Sequence, residues 1–483
     1  MAVSSALGIP QGDPAALHLD VEPIKAAAHR LRAQVSAGRL PGFMSAVVRD
    51  GQLVHFEAHG LADVDSKSPL QPHTIFRLYS QTKPLLIVGF LRLMERGLVA
   101  LEDPVARYIP AFRELVVGSK HRACARQMTI RDLLSHTSGI GFGPGFYYEP
   151  ENDYETVYYD LVKAVDRGEV NSLEAWCDRL AKLPLRFQPG SDWGYGFSSD
   201  VLGRVVEVVS GQPLDKFLLS DVIEPLGMHD TFFEVPREKA HRLAALYKRE
   251  PWDGSGAHVK FLVADASGSA SQSSSVFLSG QASKVIQGGG CVCSVAGGLV
   301  STMHDYTRFG QMLLNRGELG GVRLLQESTV MLLERDWLND FSLERRRQPL
   351  WVWGTPGIGF SPLGQIGVSH PEATRHKVGS QLHTVHWGGA GGSGYMLNWP
   401  HRLLVLTYTG CVYDTATQKT MWRAAFGALR RGGVPKPLAT PTKTSASSKS
   451  PMKRNLSEEK LSTPRKSPKK RPGIKRRSVS KAK

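Results

Sequence analysis

Ser80 and Lys83 stand three residues apart at the start of an apolar helix pattern, FRLYSQTKPLLIVGFLRLMERG, residues 76–97. Residues i and i+3 share one face of a helix, so the Lys83 ammonium can approach the Ser80 hydroxyl. A serine hydroxyl needs such a neighbouring group to act as a nucleophile at neutral pH. A helix N-terminus also favours the negative charge that develops in acyl transfer. The pattern fits either a nucleophilic serine or the polar start of an ordinary helix.

The spacing by itself does not decide between these readings. Ser-x-x-Lys occurs five more times near the C-terminus, within residues 450–483. Pro84 fits the first turn of a helix that begins near Ser80, because proline is tolerated there. Proline also biases the preceding residue, Lys83, away from helical geometry. We therefore expect an irregular turn around Ser80, and further residues are needed to assign a function.

The elements around this turn predict an α+β fold. Residues 20–38 have a helical pattern, and two β-rich runs flank Asp50-Gly51, which is a hairpin signal. Helical patterns dominate residues 80–230, and strand patterns return in LHTVHWGG, SGYMLNW and RLLVLTYTG. This order predicts an antiparallel sheet of N- and C-terminal strands, flanked by helices in an α/β sandwich, with a helical subdomain inserted.

The positive charge belongs to the C-terminal segment. The formal net charge is +16, but residues 431–483 carry 17 Lys and Arg against Glu458 and Glu459, so the remaining chain is nearly balanced. This Pro-, Ser- and Lys-rich segment predicts a disordered basic tail. Its TPRKSPKKRPGIKRR run favours a nuclear address or an electrostatic nucleic-acid contact, against the alternative of a solvated tail without a partner.

Neither a metal site nor a membrane span is indicated. The five cysteines are few and scattered, and Cys291 and Cys293 lack further ligands at metal-binding spacing, so we expect buried small side chains there. The longest apolar runs fall short of the roughly 18 residues that span a bilayer. The N-terminal residues have no apolar signal core. We expect a cytoplasmic protein, with nuclear targeting by the tail as an option.

Five ordered blocks resemble the serine β-lactamase and penicillin-binding-protein superfamily, most closely class C β-lactamases and family VIII carboxylesterases. They are, in chain order, TIFRLYSQTKPLLIVGFLRLMERG, IRDLLSHTSGI, QPGSDWGYGFSSDVLGRVVEVVSG, GGLVSTMHDYTRFGQMLLNRG and HWGGAGGSGYMLNWP. The resemblance implies a β-lactamase-related catalytic domain over residues 20–430, with the helical subdomain at about 100–290. Residues 1–19 would be a flexible N-terminus and residues 431–483 the tail.

The resemblance assigns roles to matching positions. Ser80 would be the acylated nucleophile, and Lys83 and Tyr195 the pair that takes its proton. Lys and Tyr side chains both titrate near pH 10 when free, and side by side each favours the charged form of the other. The backbone N–H groups of Ser80 and Ala390 would form the oxyanion hole. The family chemistry needs no metal or organic cofactor.

Two departures from the β-lactamase pattern concern the substrate. Trp387-Gly388-Gly389 stands where β-lactamases usually have Lys-Thr-Gly, so the lysine that would pair with the β-lactam carboxylate is replaced by an apolar ring. Phe197 stands where those proteins carry an asparagine. We therefore assign substrate contacts to Trp387, Gly388, Gly389 and Phe197, and expect a neutral ester rather than a penicillin.

Other candidate residues have weaker signals. We expect His136 to hold a turn rather than to act as a base, and His386 to be structural in its strand rather than to donate a hydrogen bond beside the site. The aromatic run 141–160, which includes Phe146 and Tyr147, suggests either a lid over the acyl pocket or core packing.

The sequence thus predicts a serine hydrolase acting on a small-molecule carboxylic ester. An acyltransferase using the same acyl-enzyme, or residual β-lactamase activity, are alternatives within the family. A non-catalytic scaffold or nucleic-acid-associated protein acting through the tail is the alternative of another class. The sequence does not indicate the oligomeric state, and it does not indicate the acyl group.

Overall fold

The computed structural model describes five parts of the chain. They are residues 7–141, 157–249 apart from 159, 162, 163, 166 and 168, 261–263, 298–341 apart from 340, and a C-terminal part made of 358–367 and 383–429. The Ser/Gly-rich stretch before residue 298, Cys291 and Cys293, most of the aromatic run 141–160 and the basic tail lie outside these residues.

The strands occur mainly at the two ends of the folded region. In chain order they are β1 (Gly42–Arg49), β2 (Gln52–Asp63), β3 (Ser68–Pro69), β4 (Ile75–Arg77), β5 (Val116–Val117), β6 (Arg122–Ala123), β7 (Tyr247–Arg249), β8 (Phe261–Val263), β9 (Val300–Thr302), β10 (Glu318–Leu319), β11 (Val322–Arg323), β12 (Ile358–Ser361), β13 (Gly364–Gly367), β14 (Thr384–Gly388), β15 (Ser393–Asn398) and β16 (Leu403–Tyr408). Eight of them form one sheet, in the order β12-β13-β14-β15-β16-β1-β2-β3. Its pairings are antiparallel.

The helices lie at the ends and in the middle of the chain. They are α1 (Glu22–Ser36), α2 (Lys83–Glu95), α3 (Ile130–Leu134), α4 (Leu173–Leu180), α5 (Ser198–Ser210), α6 (Leu214–Leu218), α7 (Met303–Leu314), α8 (Glu327–Leu333) and α9 (Thr415–Gly427). Shorter helical turns are 3₁₀ helices at Tyr79–Thr82, Val105–Arg107, Pro110–Arg113 and Arg237–Arg242 and a π-helical turn at Leu219–Ile223.

The central strands bury both faces, and successive side chains go to different cores. On β1, Phe43 and Val47 belong to a cluster with residues of α1 and α9. Met44, Ala46 and Val48 belong to the larger cluster, which includes α2, α5 and α7. Side chains of a strand alternate between its faces, so a sheet covered by helices on both sides reads as a continuous apolar run. The predicted sandwich of an antiparallel sheet and helices is confirmed.

Local predictions around β1 are also met. Asp50 and Gly51 have positive φ angles of 48° and 72° and connect β1 to β2 as an antiparallel hairpin. Glycine adopts such a backbone without steric cost, and aspartate tolerates it. The described residues between β4 and β9 include α2 to α6, in keeping with a helical insertion. Its exact limits stay a prediction.

The expectation of a flexible N-terminus is wrong for residues 7–19. Leu7 and Leu19 are buried, and the backbone of Gly12 donates to Leu53 of the sheet. Farther along, the Asp20 N–H donates to the carbonyl of Ala428 after α9. The apolar side chains in this polar, Pro-containing stretch are too few to show a periodicity, so only the tertiary contacts reveal that they are anchored.

Candidate active site

Ser80 lies in the 3₁₀ turn between β4 and α2, at a strained point of the backbone. The preceding residue, Tyr79, has a left-handed φ of 47°, which is uncommon for a non-glycine residue. Lys83 begins α2 with ordinary helical angles, so the bias imposed by Pro84 is overridden at this position. The predicted irregular turn is present, but it lies before Lys83. It is the 3₁₀ turn that contains Ser80 and continues directly into α2.

The structure brings together the three side chains that were expected to carry the chemistry. The Ser80 Oγ lies 2.8 Å from the Tyr195 Oη, where either hydroxyl can donate, and the Lys83 Nζ donates to the Ser80 Oγ at 3.3 Å. The Lys83 ammonium also lies 4.9 Å from the centre of the Tyr195 ring. Lys83 and Tyr195 are 3% and 7% exposed, so their electrostatic interactions are only weakly screened by water.

Tyr195 is held by hydrogen bonds to the segment that follows α3. The Gly194 N–H donates to the His136 carbonyl, and the Phe197 N–H donates to the Gly141 carbonyl. Gly196 lies so close to this segment that a Cβ there would be 2.1 Å from the Ile140 carbonyl oxygen. A glycine directly after the tyrosine is therefore required by this backbone approach.

Phe197 does not lie where a substrate contact was expected. Its side chain is fully buried, and its ring centre is 5.0 Å from that of Trp176 and 6.3 Å from that of Tyr158. Phe197 immediately precedes α5, where an apolar ring can pack inward between helices. We therefore correct the assignment and treat Phe197 as a core residue.

The third motif forms the end of β14 and the turn into β15. The Gly389 N–H donates to the Ser393 carbonyl, and the Ser393 hydroxyl donates to the Leu78 carbonyl, two residues before Ser80. A Cβ on Gly389 would be 1.9 Å from the Leu78 carbonyl oxygen. This contact brings the turn that contains Ala390 directly against the segment leading into Ser80. The role of the Ala390 N–H in an oxyanion hole stays a prediction.

An aromatic cluster surrounds Tyr195; we use the name for His136, Trp193, Tyr195, Phe360 and Trp387. The Trp387 ring centre is 5.6 Å from those of Tyr195 and Phe360. The Phe360 ring centre is 5.5 Å from that of Trp193 and 5.4 Å from that of His136. Trp387 thus presents an apolar ring beside Tyr195. In the β-lactamase pattern, this position usually carries a lysine.

Three residues of this cluster, His136, Trp193 and Phe360, were not assigned to the site from the sequence. Phe360 lies on β12, and its surroundings in the sequence match none of the motif blocks. His136 does hold the turn through its carbonyl, but its ring centre is also 4.8 Å from that of Tyr195. Burial and the Lys83 ammonium lower the pKa of the His136 imidazole to about 3, so it is uncharged at neutral pH. The His-Thr-Ser-Gly block was the signal that placed His136 near the site.

His386 lies on β14 but packs away from Trp387, its neighbour in the strand. Its ring centre is 4.8 Å from that of Trp422 on α9. Successive residues of a strand point to opposite faces, which explains why a histidine next to the motif packs against a helix. The structural interpretation of His386 fits this placement.

Within the described parts of the chain, no group of three His, Cys, Asp or Glu side chains is placed to hold a metal ion. No described helix has the length and apolar character that crossing a bilayer requires.

Comparison with known proteins identifies the same superfamily. A family model described as Beta-lactamase matches residues 27–430. An uncharacterized protein of Mycobacterium tuberculosis is 31% identical over 391 residues, which are 78% of this chain and 87% of that protein. The resemblance inferred from the motif blocks is confirmed.

Two relatives that are named for an activity match over a shorter length. Esterase EstB of Burkholderia gladioli is 38% identical over 227 residues, 46% of this chain and 54% of the esterase. Monacolin J acid methylbutanoyltransferase of Aspergillus terreus is 29% identical over 231 residues, 44% of this chain and 52% of the transferase. The chain thus aligns with about half the length of each.

Solved structures share the fold. EstCE1, described as a hydrolase with promiscuous acyltransferase activity, superposes with a TM-score of 0.64 at 22% identity, covering 84% of this chain and 98% of that chain. Simvastatin synthase (LovD) from Aspergillus terreus superposes with a TM-score of 0.66 at 22% identity, covering 86% and 100%. At these identities the likeness concerns the fold, which is the predicted β-lactamase/transpeptidase-like one.

Proposed function

Because the chain belongs to the Beta-lactamase family, we propose that it is a serine hydrolase that cleaves a carboxylic ester through an acyl-enzyme on Ser80. The observation that carries this proposal is the contact of the Ser80 hydroxyl with both the Tyr195 hydroxyl and the Lys83 ammonium. A nucleophile within hydrogen-bond reach of a base, which is itself held by a third group, is the general arrangement for covalent catalysis.

In the first half-reaction, Ser80 attacks the ester carbonyl carbon while its proton passes to the Lys83–Tyr195 pair. The backbone N–H groups of Ser80 and Ala390 stabilise the oxyanion, and one such donor typically contributes about 3–4 kcal/mol. The pair then gives the proton to the departing alcohol. In the second half, a water attacks the acyl carbon, its proton passes to the pair, and the pair returns a proton to Ser80 as the carboxylic acid leaves.

The substrate we propose is a neutral small-molecule ester with an apolar group beside Trp387. On the β14 side of Tyr195, the aromatic cluster presents the Trp387 ring in place of the lysine that would bind a β-lactam carboxylate. The name of the Burkholderia gladioli relative, an esterase, supports the same class. β-Lactam hydrolysis stays an alternative that this arrangement disfavours.

Acyl transfer is the second candidate function. The Aspergillus terreus relative is named as a methylbutanoyltransferase, and transfer uses the same acyl-enzyme with an alcohol in place of water. We propose hydrolysis first because water is always present, whereas transfer needs an acceptor that binds close to the Ser80 ester. For residues 431–483, the basic composition supports nuclear targeting, or a nucleic-acid contact, as a further proposal.

The experiment is active-site labelling together with ester hydrolysis. The full chain should react with a fluorophosphonate and release p-nitrophenol from p-nitrophenyl esters in a burst, while Ser80→Ala does neither. Ser66→Ala, which changes an exposed serine between β2 and β3, is the matched control and should behave as the wild type. Adding a primary alcohol separates the two functions, because transfer yields a new ester and hydrolysis yields the acid.

The proposal fails if folded wild-type protein shows no Ser80-dependent labelling and no Ser80-dependent turnover. A wild type that labels but forms only new esters would favour the acyltransferase. Turnover that survives Ser80→Ala would place the chemistry elsewhere.

A further inference from the structure

Asp200 is a buried acid close to the proposed catalytic pair. It stands in the first turn of α5, five residues after Tyr195, and is 1% exposed. Its backbone N–H donates to the Phe197 carbonyl. Among the described residues, neither oxygen of its carboxyl group has a hydrogen-bond partner. Buried polar atoms are nearly all hydrogen-bonded in folded proteins, so this carboxyl group needs an explanation.

Such a carboxyl group is costly to ionise. Removing a carboxylate from water without hydrogen bonds strongly favours its neutral form. Burial accordingly raises the pKa of the Asp200 carboxyl to about 7, although the Lys83 ammonium acts in the opposite direction. Both protonation states of Asp200 are therefore populated close to neutral pH.

The groups that face Asp200 come from the helices packed against α5, which are α2, α3, α4 and α6. From α2, Lys83 contributes the positive charge that acts on the carboxyl group. From α4, Cys177 is fully buried, and burial together with the charge of Asp200 raises the pKa of its thiol, which keeps it neutral. After α3, His136 is neutral as well.

Most other charged side chains on or next to these helices are held in ion pairs, while Glu95 on α2 and Asp178 on α4 are exposed. The ion pairs are Arg92–Asp221, Arg126–Asp132, Arg131–Glu102, Arg179–Glu169, Arg204–Glu174, Arg204–Glu207 and Lys216–Asp215. The field between Asp200 and Lys83 is thus set mainly by these two groups, in an environment that excludes water.

We propose that Asp200 is a positioning residue whose charge sets how firmly the Lys83–Tyr195 pair holds its proton. This inference rests on the proposed function, in which that pair takes the proton of Ser80. An ionised Asp200 stabilises the Lys83 ammonium and opposes loss of the proton that Lys83 and Tyr195 share. A neutral Asp200 no longer stabilises the Lys83 ammonium. The ionisation of Asp200 therefore changes the strength of the Lys83–Tyr195 pair as a base.

The test is the pH dependence of kcat/KM for a p-nitrophenyl ester. In Asp200→Asn, which keeps the shape but removes the charge, the acid limb of the profile should move to lower pH by about one pH unit. Asp200→Glu keeps the charge and should restore the limb toward the wild-type position. Asp178→Asn, which changes an exposed acid on α4, should leave the profile unchanged. A merely structural role for Asp200 would lower activity at every pH without moving the limb.

A second measurement is an NMR titration that compares wild-type protein with Lys83→Met. This comparison requires neither catalytic turnover nor a folded Asp200 variant. In wild-type protein labelled with ¹³C at the aspartate carboxyl carbons, NMR should show one carboxyl group titrating near pH 7. In Lys83→Met its midpoint should rise, because the ammonium that favours the carboxylate is gone. The resonance is assigned to Asp200 by its absence in Asp200→Asn or, if that variant does not fold, in Asp200→Glu.

The outcomes separate this inference from the proposed function. A wild type without Ser80-dependent labelling overturns the proposed function, while the NMR titration still decides whether Asp200 and Lys83 are coupled. A folded Asp200→Asn with a superimposable pH profile, or a carboxyl midpoint that is the same in Lys83→Met, overturns the inference about Asp200 alone.

Discussion

Gly389→Ala should disable the site although it adds a single methyl group. The new Cβ would lie 1.9 Å from the Leu78 carbonyl oxygen and 2.7 Å from the Ser393 Oγ. The Ser393 hydroxyl can rotate away, but the Leu78 carbonyl belongs to the backbone two residues before Ser80. It also accepts the Gln81 N–H, which ties it to the turn containing Ser80.

The size of the effect follows from the distance that must open. Since a Cβ essentially never lies under 3.0 Å from another heavy atom, either the β14–β15 turn or the Ser80 turn has to move by about 1 Å. Overpacking of this kind costs about 1–3 kcal/mol of the free energy of unfolding. Misplacement of reacting groups by about 1 Å costs about 100-fold in rate, or about 2.7 kcal/mol of transition-state stabilisation. We expect kcat/KM to fall about 100-fold.

The assay compares kcat/KM for a p-nitrophenyl ester, the rate of fluorophosphonate labelling and the thermal unfolding midpoint in Gly389→Ala and in Gly427→Ala. Gly427 is the last residue of α9, and a Cβ there would be 3.7 Å from its nearest neighbour, a carbon of Pro23, which is an ordinary contact. This control should keep wild-type activity, with stability unchanged or higher by up to about 1 kcal/mol, because alanine is the better helix former.

Gly389→Ala with wild-type kcat/KM and an unchanged unfolding midpoint would refute the reasoning. It would mean that the β14–β15 turn does not lie against the Leu78 carbonyl in solution. A variant that loses stability but keeps kcat/KM would mean that the displaced backbone leaves the proposed oxyanion-hole donors in place.

Two further predictions concern Tyr195 and His136. Tyr195→Phe removes the hydroxyl that lies 2.8 Å from the Ser80 Oγ. In steady-state kinetics it should lower kcat about 100- to 10,000-fold with little change in KM. An unchanged kcat would contradict the role of Tyr195 in proton transfer. Burial and Lys83 lower the pKa of the His136 imidazole to about 3, so below pH 6.5 the unfolded chain binds a proton that the folded chain does not. His136 should therefore cost about 1.4 kcal/mol of the free energy of unfolding per pH unit as the pH falls from about 6 to 4. His136 has a left-handed φ of 56°, which asparagine also tolerates. Urea unfolding of His136→Asn should lack that dependence, and equal pH slopes in both proteins would contradict it.

Predictions based on local patterns correspond closely to the structure. The Asp50-Gly51 hairpin, the amphipathic helices and the sandwich class depend on short-range periodicity and turn chemistry, which adjacent residues determine. The contact between Ser80 and Tyr195 joins residues 115 positions apart, and no local pattern predicts it. It could be anticipated only because the ordered motif blocks resemble those of a family whose fold brings such positions together.

The sequence by itself therefore determined the order of the motif blocks, the choice of Ser80 as the proposed nucleophile with Lys83 and Tyr195 as its partners, and the substitution of Trp387 for a lysine. Only the tertiary structure decided that Phe197 packs in the core and that Phe360 joins the aromatic cluster. It also decided that the Asp200 carboxyl group, within the influence of Lys83, has no hydrogen-bond partner among the described residues. The reason is physical. The burial of a side chain, the packing of a ring and the ionisation of a carboxyl group all depend on which residues, distant in the sequence, surround that group. These spatial neighbours are determined by the packing of elements such as α2, α4 and α5, and not by the residues that are adjacent in the sequence.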